Sequence, residues 1–173
     1  MYTDDMKDYK IILLGSQCSG KSTLISYLQK TTDLVCLDHD EEIKRRNGGT
    51  YPKEREYVAN ELQPKIENDV MAMERVVYSA SFWGLGEDEK IHNDRIESAI
   101  KAGFSFIHLK TDKEILLKRN ADRVVNSKNE DASQAFDWYL SVYKDMQNKN
   151  YFAHEIETNQ AVEEVAADLV SLI

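Results

Sequence analysis

The chain has 173 residues, of which 42% are hydrophobic, and this length and composition favour one globular domain over a disordered chain. A formal net charge of −9 argues against a polymeric nucleic acid as partner, because such partners select a basic surface. With two cysteines outside any metal-ligand spacing, no signal peptide and no apolar run near about 18 residues, the sequence predicts a reduced, cytoplasmic protein without a membrane span.

Apolar strand-like segments alternate with segments of helical periodicity along the whole chain. The predicted strands cover residues 10–15, 33–38, 75–82, 104–109 and 151–156. The predicted helices cover residues 20–30, 40–46, 52–70 with an interruption near Pro64, 87–102, a segment opened by Thr111–Glu114, 134–149 and 160–173. Residues 124–133 are polar and predict a mobile loop. Apolar strands joined by helices predict a single α/β domain over residues 1–173, with a parallel sheet covered on both faces.

The segment GSQCSGKS, residues 15–22, matches the phosphate-binding motif G-x-x-x-x-G-K-[ST] at every fixed position and lies between a predicted strand and a predicted helix. Glycines allow the backbone to curl so that its N–H groups point at phosphate oxygens, and the helix N-terminus adds a favourable dipole. Lys21 is expected to reach the β- and γ-phosphates, and the Ser22 hydroxyl to bind Mg²⁺. The predicted nucleotide-binding residues are Gly15, Ser16, Gln17, Cys18, Ser19, Gly20, Lys21, Ser22 and Thr23.

Two common classes of phosphate-loop protein lack their other motifs here. No aspartate is followed by glycine at the third position, as a GTPase switch requires, and residues 109–112 (LKTD) depart from the guanine motif [NT]-K-x-D at its first residue. The third predicted strand has no acidic residue at its end, where many ATPases hold Mg²⁺. The sequence therefore disfavours both a GTPase switch and an ATPase motor.

Carboxylates follow the second predicted strand instead, at Asp38 and Asp40. Ligands of a parallel sheet gather outside the carboxyl ends of its strands, so this acidic pair and the phosphate loop are expected in one crevice. One carboxylate there can orient or deprotonate a substrate hydroxyl, and another can hold water on Mg²⁺. The alternative is that both residues only cap the next helix.

With this phosphate loop and the D-x-D of Asp38 and Asp40, the chain resembles the P-loop small-molecule and nucleoside-monophosphate kinases, the group of shikimate, gluconate, adenylylsulfate and adenylate kinases. The resemblance implies a three-layer fold with a five-stranded parallel sheet of order 2-3-1-4-5, ATP with Mg²⁺, and two substrate-closing elements. These are a substrate-binding helical segment over about residues 39–70 and a basic lid over about residues 119–133. Arg119 and Arg123, at i, i+4 spacing, would face the transferring phosphoryl group.

The sequence thus predicts an ATP-dependent kinase that transfers the γ-phosphoryl group to a hydroxyl or phosphate of a small metabolite. The predicted catalytic residues are Lys21, Asp40, Arg119 and Arg123, of which Arg119 also contacts ATP. Asp40 and Arg55 are predicted to bind the acceptor, and Ser22 and Asp38 the metal. The segment SASFWG, residues 79–84, lacks the glycine triplet of the shikimate pattern, and Lys144 and Lys149 stand where a substrate-binding arginine is expected.

Other acceptors and classes remain open. Tyr78, Phe82 and Trp83 can stack on a base or pack in the core, so a nucleoside or nucleoside monophosphate is an alternative acceptor. A nucleotide-dependent binding module and a nucleic-acid end kinase are further alternatives. The helical spacing of Trp138, Tyr139 and Tyr143 predicts core or lid-hinge residues. His39 is predicted at the surface, and the alternative is that it contacts the substrate. The oligomeric state and the acceptor's identity do not follow from the sequence.

Overall fold

The computed structural model describes residues 8–86, 90–127 and 130–173. The strands are β1 (Lys10–Leu14), β2 (Cys36–Asp38), β3 (Val76–Ala80), β4 (Ser105–Lys110) and β5 (Phe152–Glu157). The helices are α1 (Lys21–Thr31), α2 (His39–Arg46), α3 (Arg55–Tyr57), α4 (Gln63–Met71), α5 (Asn93–Lys101), α6 (Lys113–Ser127), α7 (Phe136–Asn148) and α8 (Val162–Val170). Within these ranges no helix is both long and apolar enough to cross a bilayer.

The five strands form one parallel sheet in the order β2-β3-β1-β4-β5, which confirms the predicted order. β1 lies at its centre, and successive side chains along it point to opposite faces. Ile12 and Leu14 pack with residues of α4, α5 and α7, whereas Ile11 and Leu13 pack with residues of α1 and α8. Because helices cover both faces, β1 is apolar from Ile11 to Leu14 instead of alternating with polar residues.

The same topology brings the phosphate loop and the acidic pair together. β3 lies between β1 and β2, and its Ser79 is in register with Leu13 of β1 and Asp38 of β2. All three strands point the same way, so the loop after β1 and the start of α2 emerge at one edge of the sheet. The crevice expected from the sequence is therefore built by the three neighbouring carboxyl ends.

Two predicted elements have different boundaries in the structure. The predicted loop over residues 124–133 is wrong for residues 124–127, which continue α6 to Ser127. Residues 124–127 contain neither glycine nor proline, so nothing in them breaks the helix. The helix predicted to begin near residue 87 begins at Asn93, after an antiparallel bridge between Leu85 and Ile91. Residues 87–89 and 128–129 lie outside the described residues.

The interruption predicted near Pro64 is a π-helical turn over Val58–Leu62, between α3 and α4. The Gln63 N–H donates to the Val58 carbonyl, five residues back. Pro64 follows with no N–H to donate, so a regular α-helical ladder cannot pass through this point. The wider turn keeps the chain helical across the proline.

A buried ion pair fixes the segment after β3. The Glu67 carboxylate, on α4, is 3% exposed and pairs with the Arg95 guanidinium of α5. It also accepts hydrogen bonds from Gln63 Nε2 at 3.0 Å and from the Gly84 N–H at 3.2 Å. Gly84 has a φ of +72°, and a Cβ there would lie 3.1 Å from that of Arg95. Burial raises the pKa of Glu67, and these partners oppose the rise.

Arg95→Ala should lower the free energy of unfolding by about 3 kcal/mol, because Glu67 would remain buried without its cation. Urea denaturation of the two proteins measures this difference. Arg45→Ala is the control, since Arg45 pairs with Glu42 on the exposed face of α2 and its loss should leave the unfolding midpoint unchanged. Equal losses in the two variants would contradict a structural role specific to the buried pair.

Candidate active site

The phosphate loop curls around the ammonium group of Lys21. Its Nζ donates to the Gly15 carbonyl at 2.7 Å and to the Ser16 carbonyl at 2.8 Å. The curl needs positive φ at Cys18 (63°) and at Gly20 (95°), the residue before α1. Burial lowers the pKa of Lys21 to about 8, although the carboxylates of Asp40 and Asp38 oppose that effect.

Asp38 joins the phosphate loop to α2. Its Oδ2 accepts hydrogen bonds from Ser22 Oγ of α1 and Ser79 Oγ of β3, both at 3.0 Å. Its Oδ1 accepts from the backbone N–H groups of Asp40 at 3.1 Å and Glu41 at 3.3 Å, so Asp38 is also the N-cap of α2. The sequence left open whether Asp38 assists a metal or only caps α2. Asp38 is that cap, and its second oxygen accepts from Ser22, the other predicted metal ligand.

The chemistry of this pair suits Mg²⁺. Ser22 Oγ and the Asp38 carboxylate are adjacent oxygen ligands, the donor type that Mg²⁺ prefers. Within the described residues no group of three or more histidine, cysteine, aspartate or glutamate side chains could hold a metal. Mg²⁺ commonly takes one or two protein oxygens and completes its shell with water and substrate phosphates. The residues present therefore fit that ion.

Asp40 is exposed and lies in the first turn of α2, at the crevice. In the described part of the chain, its carboxylate accepts no hydrogen bond from another residue. Its negative charge nevertheless raises the pKa of groups from three segments: Lys21 on the phosphate loop, Tyr51 before α3 and Tyr139 on α7. The Asp40 carboxylate is therefore close enough to all three side chains for its charge to act on them.

Tyr51 and Tyr139 are site residues that the sequence reasoning missed. Burial is the main cause that raises the pKa of both hydroxyls, and the Arg55 guanidinium lowers both. The side chains of Ser81 and Gln17 also lower the pKa of Tyr139, so its hydroxyl lies next to the phosphate loop. Arg55, predicted to bind the acceptor, is therefore close enough to both hydroxyls for its charge to act on them.

The aromatic residues near β3 divide into core and crevice. Tyr78 and Trp83 are at most 2% exposed, so they pack in the core and the suggested stacking of these two on a base is wrong. Phe82 stacks on Tyr139, with ring centroids 4.9 Å apart and an interplanar angle of 6°. The ring centroids of Trp138 and Phe82 are 4.9 Å apart. Trp138 is 42% exposed, so of its two predicted positions, core and lid hinge, the core position is wrong.

Arg119 and Arg123 lie on the face of α6 that meets the phosphate loop. Arg119 donates to the Thr158 carbonyl at 2.6 Å and to the carbonyls of Cys18 and Ser19 at 3.3 and 3.4 Å. Arg123 Nη1 lies 3.9 Å from Cys18 Sγ. These side chains border a cavity of about 400 Å³ between the loop, α1, α6 and the segment after β5. Its other lining residues include Thr23, Leu24, Leu109, Gln160, Val162 and Val165.

The family model of an AAA domain, AAA_33, matches residues 11–146. The chain belongs to this AAA domain family. The matched residues include the phosphate loop, Asp38, Asp40 and both arginines of α6, so the site described above is built almost entirely from the family's own segment.

Among curated proteins, the shikimate kinase of Aquifex aeolicus (strain VF5) is 35% identical over 88 residues, which are 49% of this chain and 52% of that relative. The match thus spans about half of the relative's length. The solved shikimate kinase from Acinetobacter baumannii in complex with shikimate has a TM-score of 0.71 at 23% identity, covering 97% of this chain and 93% of its own. A solved gluconokinase from Sinorhizobium meliloti 1021 has a TM-score of 0.62 at 16% identity, and the match covers 95% of this chain and 90% of the gluconokinase.

These solved structures establish the shared fold. Together with the family match and the curated relative, they confirm the resemblance to P-loop small-molecule kinases that the phosphate loop and the D-x-D indicated. The Aquifex relative is named a shikimate kinase and the Sinorhizobium structure a gluconokinase, so both names describe kinases.

Nucleotide affinity should fall as the pH rises through about 8, the pKa of Lys21 in the free protein. Bound phosphates favour the charged ammonium, so above this pH binding must take up a proton, and the Kd for ATP should rise up to about tenfold per pH unit. Calorimetry between pH 7 and pH 9.5 measures this change. Lys21→Met, which cannot titrate, should bind weakly with a flat profile; an equally flat wild-type profile would contradict the assignment.

Proposed function

We propose that this protein is an ATP-dependent kinase that transfers the γ-phosphoryl group of Mg²⁺-ATP to a hydroxyl or phosphate of a small metabolite. The observation that carries the proposal is the hydrogen bond from Ser22 to Asp38. It brings the carboxylate that ends β2 into contact with the phosphate loop, and Asp40, which can accept a proton, lies two residues further on in the first turn of α2.

The ATP end of the crevice has the charges that triphosphate needs. The N–H groups of the curled loop and the N-terminus of α1 favour the phosphates, and Lys21 would exchange its two carbonyl partners for phosphate oxygens. Arg119 and Arg123 already lie against the loop and would add positive charge without a large movement. The adjoining cavity of about 400 Å³ has the size to take the nucleoside.

Ser22 and Asp38 would hold Mg²⁺, Ser22 directly and Asp38 through bound water. When bound, the ion would neutralise the negative charge that develops between the β- and γ-phosphates. Ser79 keeps the Asp38 oxygen oriented toward Ser22, since both hydroxyls donate to it.

Asp40 is the group placed to act on the acceptor. In the proposed transfer the acceptor oxygen forms a bond to the γ-phosphorus while its proton passes to the Asp40 carboxylate. The bond from the γ-phosphorus to its bridging oxygen breaks, and ADP leaves with that oxygen's negative charge, which Lys21 stabilises. Because no other residue within the described ranges hydrogen-bonds to the Asp40 carboxylate, it is available to the acceptor.

The residues near Asp40 favour an anionic acceptor that carries a hydroxyl. Arg55 supplies the cation, and the hydroxyls of Tyr51 and Tyr139, whose pKa values Arg55 lowers, supply neutral hydrogen-bonding groups near it. The exposed Trp138 ring, packed on Phe82, favours a second candidate, a nucleoside or nucleotide acceptor whose base could stack there.

An ATP-consumption screen tests the proposal. The purified protein, Mg²⁺ and ATP are combined separately with hydroxy acids, sugar acids, nucleosides and nucleoside monophosphates, and ADP is measured against a reaction without acceptor. At least one class should stimulate ADP formation and yield a phosphorylated product. ADP formed at the same rate with every acceptor and without any would contradict a kinase and favour a nucleotide-dependent binding module.

Asp40→Asn should reduce acceptor phosphorylation by about 10²- to 10⁴-fold while the Kd for Mg²⁺-ATP stays close to that of the wild type, because the amide keeps the shape but cannot take the proton. Calorimetry and a transfer assay measure the two quantities. The neighbouring Glu41→Gln is the control, since that exposed carboxylate pairs with Lys44 and should be dispensable. If Asp40→Asn transfers phosphate at the wild-type rate, Asp40 has no catalytic role.

A further inference from the structure

His39 lies between the two acidic residues, and the proposed transfer assigns it no part. It was predicted at the surface, but its ring turns inward from the first position of α2 toward β3. Its Nδ1 lies 2.6 Å from the hydroxyl of Tyr78, which is completely buried. The two rings meet edge to face, with centroids 6.1 Å apart and an interplanar angle of 83°. Because Tyr78 is fully buried and His39 only partly exposed, this hydrogen bond fixes the direction of the His39 ring.

Asp40 depends on such an anchor. Since its own carboxylate has no hydrogen bond from the described residues, only the backbone of the first turn of α2 fixes its position. On one side that turn is held by Asp38, which accepts the Asp40 N–H and is bound in turn by Ser79 of β3. On the other side it is held by His39 and Tyr78.

The two tethers end on neighbouring residues of one strand. Tyr78 and Ser79 are consecutive in β3, so their side chains point to opposite faces of the sheet. Tyr78 is itself fixed by edge-to-face packing on the buried Trp83, at 5.8 Å between centroids. The first turn of α2 is therefore clamped from both faces by a strand that lies beside β1 and its phosphate loop.

Charged and titratable groups from neighbouring elements face the His39 ring. They are Lys21 of α1, the carboxylates of Asp38 and Asp40 on either side of His39, and the Tyr78 hydroxyl of β3. The only hydrogen bond that the described residues make to the His39 ring is the one with Tyr78.

We propose that His39 is a positioning residue for phosphoryl transfer: its hydrogen bond to Tyr78 anchors the first turn of α2 and thereby aims the Asp40 carboxylate at the acceptor. The inference rests on the proposed function for its catalytic consequence, but the anchor itself does not. A displacement of about 1 Å at the reacting groups can cost about 10²-fold in rate, so an anchor at this point matters even though it touches no substrate.

Three variants separate this role from general stabilisation. Tyr78→Phe removes only the hydroxyl, His39→Leu removes the hydrogen-bonding ring, and His39→Asn keeps a polar group near the Nδ1 position. The matched control is Tyr9→Phe, because Tyr9 is also buried and its hydroxyl accepts the Val35 N–H at 2.8 Å, at the opposite end of β2.

The first measurement needs no acceptor. Hydrogen exchange of the Asp40 and Glu41 amides, followed by NMR, reports how firmly the first turn of α2 is held. Exchange should be about tenfold faster in Tyr78→Phe and His39→Leu, close to wild type in His39→Asn, and unchanged in Tyr9→Phe. Unchanged exchange in Tyr78→Phe would overturn the anchor whether or not the protein is a kinase.

The second measurement uses the acceptor that stimulates ADP formation most in the screen. Tyr78→Phe and His39→Leu should lower kcat by about 10- to 100-fold with KM for ATP within about threefold of wild type, and His39→Asn should recover most of the loss. Tyr9→Phe should keep the wild-type kcat. A wild-type kcat in Tyr78→Phe, or an equal loss in Tyr9→Phe, would overturn the positioning role. A wild type that phosphorylates no acceptor would instead remove the proposed function, and the exchange measurement alone would then decide the anchor.

Discussion

The crevice depends on the carboxylate of Asp38. Its two oxygens accept four hydrogen bonds, from Ser22, Ser79 and two backbone N–H groups, and so tie α1, β3 and α2 to one point. Its position at the N-terminus of α2 also places a negative charge where the helix dipole favours one. A single charged residue therefore sets the distance between the phosphate loop and the first turn of α2.

The positive charge of Lys21 is held by different hydrogen bonds from those that hold Asp38. Lys21 donates to loop carbonyls, whereas Asp38 accepts from hydroxyls and amides, so the two are electrostatic neighbours without sharing a hydrogen bond. Burial lowers the pKa of Lys21 to about 8, which means that its charged form lacks the stabilisation that phosphate would supply. Polar groups fixed in this way need little rearrangement when a transition state develops charge beside them.

Short sequence motifs were enough to predict the phosphate loop and the kinase resemblance. The phosphate loop is recognisable from residues 15–22, and the kinase resemblance rests on that loop and on the D-x-D of Asp38 and Asp40. The strand order is what the resemblance implies, and the structure and the comparisons confirm both. Tyr51, Tyr139 and the inward ring of His39 were missed because only tertiary packing places them beside Asp40. The polar composition of residues 124–133 predicted a loop, although nothing in the first four of them breaks a helix.

The Mg²⁺ dependence of ATP binding in Asp38→Asn tests the central role of Asp38 most directly. Asparagine caps helices as well as aspartate does, so α2 and the fold should survive while the negative charge beside Ser22 is lost. ATP affinity is measured by calorimetry at increasing Mg²⁺ for the variant and the wild type. Wild-type affinity should rise with Mg²⁺ and that of Asp38→Asn should respond far less. An identical response in a folded variant would show that Asp38 serves only as a helix cap.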